Sequence, residues 1–115
     1  MHKIYDESGR KIEYLLNKSK SYRISGAKKN IGNGLMITSE IRNLDKGMLV
    51  TIEQLNVNEF HPKMMKVYIL EMDLYIDAID EDDITIFNDK NVSDYLNYIR
   101  KSIDSTRNKL AKLNL

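Results

Sequence analysis

Cysteine and tryptophan are both absent from this 115-residue chain, and Pro62 is its one proline. Without cysteine there can be no disulfide, no thiolate metal site and no cysteine nucleophile. A single proline leaves no proline-rich linker, and no low-complexity tract or solenoid-period repeat divides the chain. Only His2 and His61 offer imidazole, one near the start and one in a stretch that reads as a connection. No serine or threonine stands in a nucleophile motif, and the glycine-rich stretch 26–34 lacks the Gly-Lys-Ser/Thr ending of a phosphate-binding loop. Apolar runs are only a few residues long, too short to cross a bilayer. The opening residues Met1-His2-Lys3-Ile4-Tyr5-Asp6 lack the apolar core of a signal peptide. A cytoplasmic protein with no cofactor, no metal and no membrane partner is the expectation.

What is present suffices for one core. Hydrophobic residues make up 42% of the chain, enough to fold 1–115 as a single domain without a staple. Ile, Lys, Asn, Asp and Tyr are abundant, a bias that AT-rich codons favour in low-GC bacteria, their phages and some large DNA viruses. The net charge of +1 conceals three blocks. Residues 1–66 carry twelve Lys/Arg against seven Asp/Glu, 67–94 carry Lys90 against nine acids, and 95–115 carry five bases against Asp104. Charge blocks of this kind either neutralise one another in the fold or steer a complementary partner.

Periodicity divides the chain into a sheet region, 1–90, and a helix, 91–113. Alternation on both sides of Ser8-Gly9 predicts a hairpin, although Ile12, Leu15 and Leu16 also fit a short helix. Tyr22 and Ile24 predict a short strand ended by Gly26, with a loop over 26–34. Leu35 to Ile41 and Met48 to Ile52, around Asn43–Gly47, read as a hairpin. Residues 56–63 read as a connection. Alternate apolar residues from Tyr68 to Ile76 predict one long strand, bent or bulged. Asp80–Asp83 then turns the chain, and Ile84–Phe87 returns beside that strand. Finally Val92, Leu96, Ile99, Ile103, Thr106, Leu110 and Leu113, spaced by four and three, form one stripe along a helix that Asn91 and Asp94 can cap. The predicted class is α+β: an antiparallel sheet of five to seven strands, open or curled into a small barrel, covered by that helix.

Two surfaces are candidates for function. The acidic set Glu71, Asp73, Asp77, Asp80, Glu81, Asp82 and Asp83 is expected to face a larger protein partner. The same acids suit a divalent ion poorly, lacking the glycine and distal glutamate of a calcium loop. The basic stretch 10–30, with Arg10, Lys11, Lys18, Lys20, Arg23, Lys28 and Lys29 interleaved by Tyr14 and Tyr22, is the alternative. Cations and stackable rings on a sheet suit nucleic acid, although lysines also protect sheet edges. For the helix stripe, docking on the sheet and homodimerisation as a coiled coil both fit. With no reaction chemistry visible, the expected function is a small non-enzymatic interaction module. A phage or mobile-element modulator of a host protein would have this size and composition, and nucleic-acid binding is the runner-up.

Overall fold

The computed structural model of the protein describes residues 2–31, 34–61 and 63–113, with 27–31 and 34–38 described by their backbone. Among the described residues seven strands precede one helix, an α+β arrangement. They are β1 (Glu13–Leu16), β2 (Lys20–Ile31), β3 (Gly34–Leu44), β4 (Leu49–Gln54), β5 (Met64–Ile69), β6 (Leu74–Asp80) and β7 (Ile84–Ile86). The helix α1 spans Val92–Leu113, and a single 3-10 turn, Glu81–Asp83, joins β6 to β7. All pairings are antiparallel, in the order β3-β2-β6-β5-β4-β1-β7.

That order forces the sheet to curl. Between β1 and β2 lie four strand spacings of about 4.8 Å, roughly 19 Å in a flat sheet. Asn17–Ser19 joins those strands, and so short a link reaches at most about 14 Å. The 3-10 turn faces the same demand between β6 and β7, and it is more compact still. Both links therefore cross the open side of a rolled sheet at one place. Inside the roll lie Tyr14, Leu16, Ile24, Val50, Ile52, Val67, Ile69, Ile76 and Ile84, one continuous buried cluster. The paired registers Tyr14–Val50, Val50–Ile69, Val67–Ile76 and Ile24–Ile76 put these side chains on one face.

Several expected connections are corrected. Of the stretch 26–34 read as a loop, residues 32–33 lie outside the described residues and the rest is strand: β2 runs through Gly26 to Ile31 and pairs with β3 from Ala27–Thr38 to Ile31–Gly34. Gly26, at φ +108° where the register shifts, is a bulge in β2 rather than its end. The turn Asp45–Gly47 exists, but β3 and β4 do not pair across it, because both edges of β4 are taken, by β5 and β1. The run from Tyr68 to Ile76 is two strands, β5 and β6, reversed at Leu70–Asp73. Asp73 there has φ +53° and returns its N–H to the Ile69 carbonyl. Ile69 lies opposite Leu74, so the inward position passes from odd numbers (Met65, Val67, Ile69) to even at Ile76, and back to odd at Ile79 across a register shift. Apolar residues inside the turn hid that change of parity. β7 returns beside β1, not beside β6. The N-terminal hairpin is present in small form, with Tyr5 bridged to Lys11 and Asp6 accepting from Ser8 and Arg10. The 4–16 region is thus extended, and the helical alternative fails.

Candidate functional site

Lys18, Lys20 and Tyr22 of the basic alternative are used within the fold. Asp83, 3% exposed, is the one buried charged side chain among the described residues. It accepts from Lys18 Nζ at 3.0 Å, Lys20 Nζ at 3.3 Å and the Tyr22 hydroxyl at 3.0 Å. Asn17 completes the join, its backbone N–H on the Asp83 carbonyl and its amide on Asp82 O and Thr85 Oγ1. These bonds fasten the β1–β2 link to the 3-10 turn, closing the roll where the two cross. Burial disfavours the Asp83 carboxylate, but the bonds from Lys18, Tyr22 and Lys20 outweigh it and hold its pKa below the usual range. The same contact raises Lys18, and burial together with Asp83 raises Tyr22.

Tyr14 and Tyr22 are both buried, so neither presents a ring face to a base. Lys11 is paired with Glu53. Arg23 is exposed and reaches Ser39 Oγ at 3.4 Å, while the side chains of Lys28 and Lys29 lie outside the described residues. The stacking element of the nucleic-acid alternative is therefore missing from 10–26.

A titration follows from the clasp. A carboxyl whose folded pKa lies below its ordinary value of 3.8 stabilises the fold fully above about pH 4. That contribution is lost as pH falls through the folded value. Melting temperatures between about pH 5 and pH 2 should fall more steeply for the wild type than for Asp83→Asn, which has no proton to take up. Parallel curves would show that Asp83 does not carry this dependence.

The seven acids do not form one surface. Glu71 and Asp73 sit at the β5–β6 turn, and Asp80, Glu81, Asp82 and Asp83 at the far end of β6, seven residues or about 23 Å away. Asp77 lies between them and accepts from Ser25. Asp73 takes the Tyr68 hydroxyl at 2.6 Å, and Asp80 caps the 3-10 turn through the Asp82 N–H at 2.8 Å. Asp83 is internal, and the expectation that it faces a partner is corrected. Among the described residues no three His, Asp or Glu side chains are grouped so as to hold a metal ion.

The surface that the acidic reading overlooked is α1. Its root is well held. Asn91 turns its amide back to the Ile86 carbonyl and accepts from the Asn88 N–H, Phe87 and Tyr95 pack ring to ring at 5.3 Å, and Tyr98 donates its hydroxyl to Glu71. Burial and Glu71 together raise the Tyr98 pKa. Gly47, at φ +99°, lets the β3–β4 turn lie against the Asp94 carbonyl and Tyr98. Tyr95, Tyr98 and Ile99 also line a groove of about 300 Å³ with Leu49, on the outer face that Leu15 shares by its pairing with Leu49. Beyond this root the helix leaves the sheet, and no residue of it is buried. The stripe expected to cover the sheet is open to solvent: Leu96 is 47% exposed, Ile103 47% and Leu110 54%. Tyr95 and Tyr98 dock instead, and an aromatic pair at i, i+3 beside the stripe was the signal for that face.

A second groove, about 460 Å³, lies at the open side of the roll between the N-terminal arm and β7. Ile12, Tyr14, Ile84 and Ile86 line it, and His2, which bonds the Glu81 carbonyl at 2.7 Å, sits at its rim. The Asn17 amide N–H is spent on Asp82 O and Thr85 Oγ1, its Oδ1 is buried without a partner among the described residues, and no nucleophile and base are paired within the groove. No described helix is long and apolar enough to cross a membrane. Set beside protein-family models, curated proteins and solved structures, the chain matches none of them.

Proposed function

We propose that the protein is a non-enzymatic interaction module whose rolled sheet holds α1 out to a larger protein. The observation that carries this reading is the apolar stripe of Leu96, Ile103 and Leu110, left half-exposed on a helix anchored only at its root. Contiguous apolar surface of this kind is kept on soluble domains where something binds it. An amphipathic helix laid into an apolar groove is a common way for a small domain to engage a larger one. Separated charge supports the same reading, since residues 99–113 hold five bases and one acid and would speed encounter with an acidic surface.

The double variant Ile103→Ser, Leu110→Ser tests the proposal. Both side chains are exposed, so the melting temperature should stay close to the wild type, within about 0.5 kcal/mol in stability. Proteins retained from a native lysate by the immobilised wild type, quantified by mass spectrometry, should be lost from the variant. Retention of the same set by both proteins would overturn the assignment to α1, and so would a wild type that retains nothing.

A further inference from the structure

We infer that α1 is one side of a two-helix seam, and that its other side is an amphipathic helix with acidic flanks on a different protein. This rests on the interaction reading above and names the partner's chemistry.

The stripe has the period of a seam. Val92, Leu96, Ile99, Ile103, Thr106, Leu110 and Leu113 alternate in steps of four and three, a mean of 3.5 residues that keeps one narrow line facing a second helix. At about 100° per residue this line runs on average roughly a quarter-turn from the docked residues Tyr95 and Tyr98; Ile99 packs at the root, and from Ile103 onward the line is open. Thr106, the one polar member, donates its hydroxyl to the Ser102 carbonyl at 3.0 Å within its own helix. Its polar group therefore needs nothing from the partner. At the root the line runs into the groove lined by Leu49, Leu70, Tyr95 and Ile99, which offers space for one further apolar side chain.

Charge selects among occupants. Arg100 and Arg107 each follow a seam residue, Lys109 precedes one, and no acid holds a flanking position from 93 to 109. An antiparallel second copy would set Arg100 against Arg107. A parallel copy would face them with Tyr95, already packed on Phe87, and Ser102, so neither arrangement offers a carboxylate. Flanking glutamates or aspartates on a different helix would pair with all three cations, and such flanks set partner choice in coiled coils. A bilayer is served less well, because surface-lying helices present a broad apolar face with Trp or Phe, and this line is narrow and carries neither.

The test uses the full chain and two labelled three-heptad peptides, both with leucine and isoleucine along the seam. One carries glutamate at the flanking positions and the other lysine. Anisotropy at about 100 mM salt should show saturable binding of the glutamate peptide, with the lysine peptide weaker by about tenfold or more. Arg100→Glu with Arg107→Glu should reverse that order, and Ile103→Ser should remove both complexes, while circular dichroism shows each variant folded. Equal binding of the two peptides would overturn the charge rule. Sedimentation showing a wild-type dimer that Ile103→Ser dissociates would assign the seam to a second copy instead. Partition onto phosphatidylserine–phosphatidylcholine vesicles without peptide binding would assign it to an anionic bilayer. If neither peptide binds, the acidic-helix partner is refuted, while the stripe-dependent lysate capture stands or falls separately.

Discussion

Replacing Asp83 by alanine should destabilise the domain by about 2–3 kcal/mol, although no strand pairing is touched. Removing the carboxylate leaves the Tyr22 hydroxyl buried without an acceptor, which alone costs about 1–3 kcal/mol. Lys18 and Lys20 are released to water and add little, since their side chains are more than half exposed. For a chain of this size such a loss lowers the melting temperature by about 10 °C. The contribution is cooperative, so a double-mutant cycle should expose it. Tyr22→Phe should cost about 1 kcal/mol in the wild type and close to nothing, or less, in the Asp83→Ala background. Strict additivity in urea melts of the four proteins would mean that the two side chains do not act together. Because both crossings of the roll are fastened here, local opening should appear first at Asn17–Lys20 and Glu81–Thr85, which hydrogen exchange resolves.

Gly47→Ala should have an effect of similar size by another route. A Cβ at this position would lie 2.5 Å from the Asp94 carbonyl oxygen and 2.9 Å from Tyr98 Cβ. It would also place a side chain at φ +99°, a conformation that costs an L-residue about 1–2 kcal/mol. The turn is held by the Gly47 N–H on the Leu16 carbonyl at 2.8 Å, so relief has to come from α1. The helix root should shift away from the turn, straining the Tyr98–Glu71 bond and the packing of Tyr95 on Phe87. Expected is a loss of about 2–4 kcal/mol, together with faster amide exchange along α1 while the central strands keep their protection. Unchanged exchange in α1 relative to those strands would mean that the root is not seated through Gly47.

Much of this architecture was legible in the residues, and the failures have specific causes. Alternation located material for every strand, and the step from period two to alternating threes and fours marked the helix within a residue of its start. Pairing was not legible, because it depends on links whose reach matters more than their composition. Asn43–Gly47 has the residues of a hairpin turn, yet it joins two strands that pair elsewhere. The glycines and asparagines of 26–34 signalled a loop, while residues 27–31 and 34 belong to paired strands. At the candidate site, the helix stripe was visible from its spacing, but not which side of the helix would dock. Tyr95 and Tyr98 sit beside that stripe, and one ring packed on Phe87 with another bonded through its hydroxyl to Glu71 outweighed a longer row of leucine and isoleucine. The acids of 71–83 were read as one surface because they are close in sequence. A strand separates residues by more than 3 Å each, so a run along β6 is spread over its whole length rather than gathered.

The pairing of β1 with β7 sets a condition on the order of assembly. Tyr14, Leu15 and Leu16 are fully buried, yet their neighbours are β4 and β7, the latter nearly at the opposite end of the chain. No local contact can shelter them. A chain emerging from a ribosome at about 5–20 residues per second carries this apolar segment exposed for several seconds before Ile84 to Ile86 exist. Pairings between such distant residues place the domain among slow two-state folders, on a scale of about milliseconds to seconds. Closure at Asp83 must come late, since it needs both ends of the roll together. Substitutions there should accordingly speed unfolding far more than they slow folding, making the clasp a kinetic latch on a structure whose strands have already found one another.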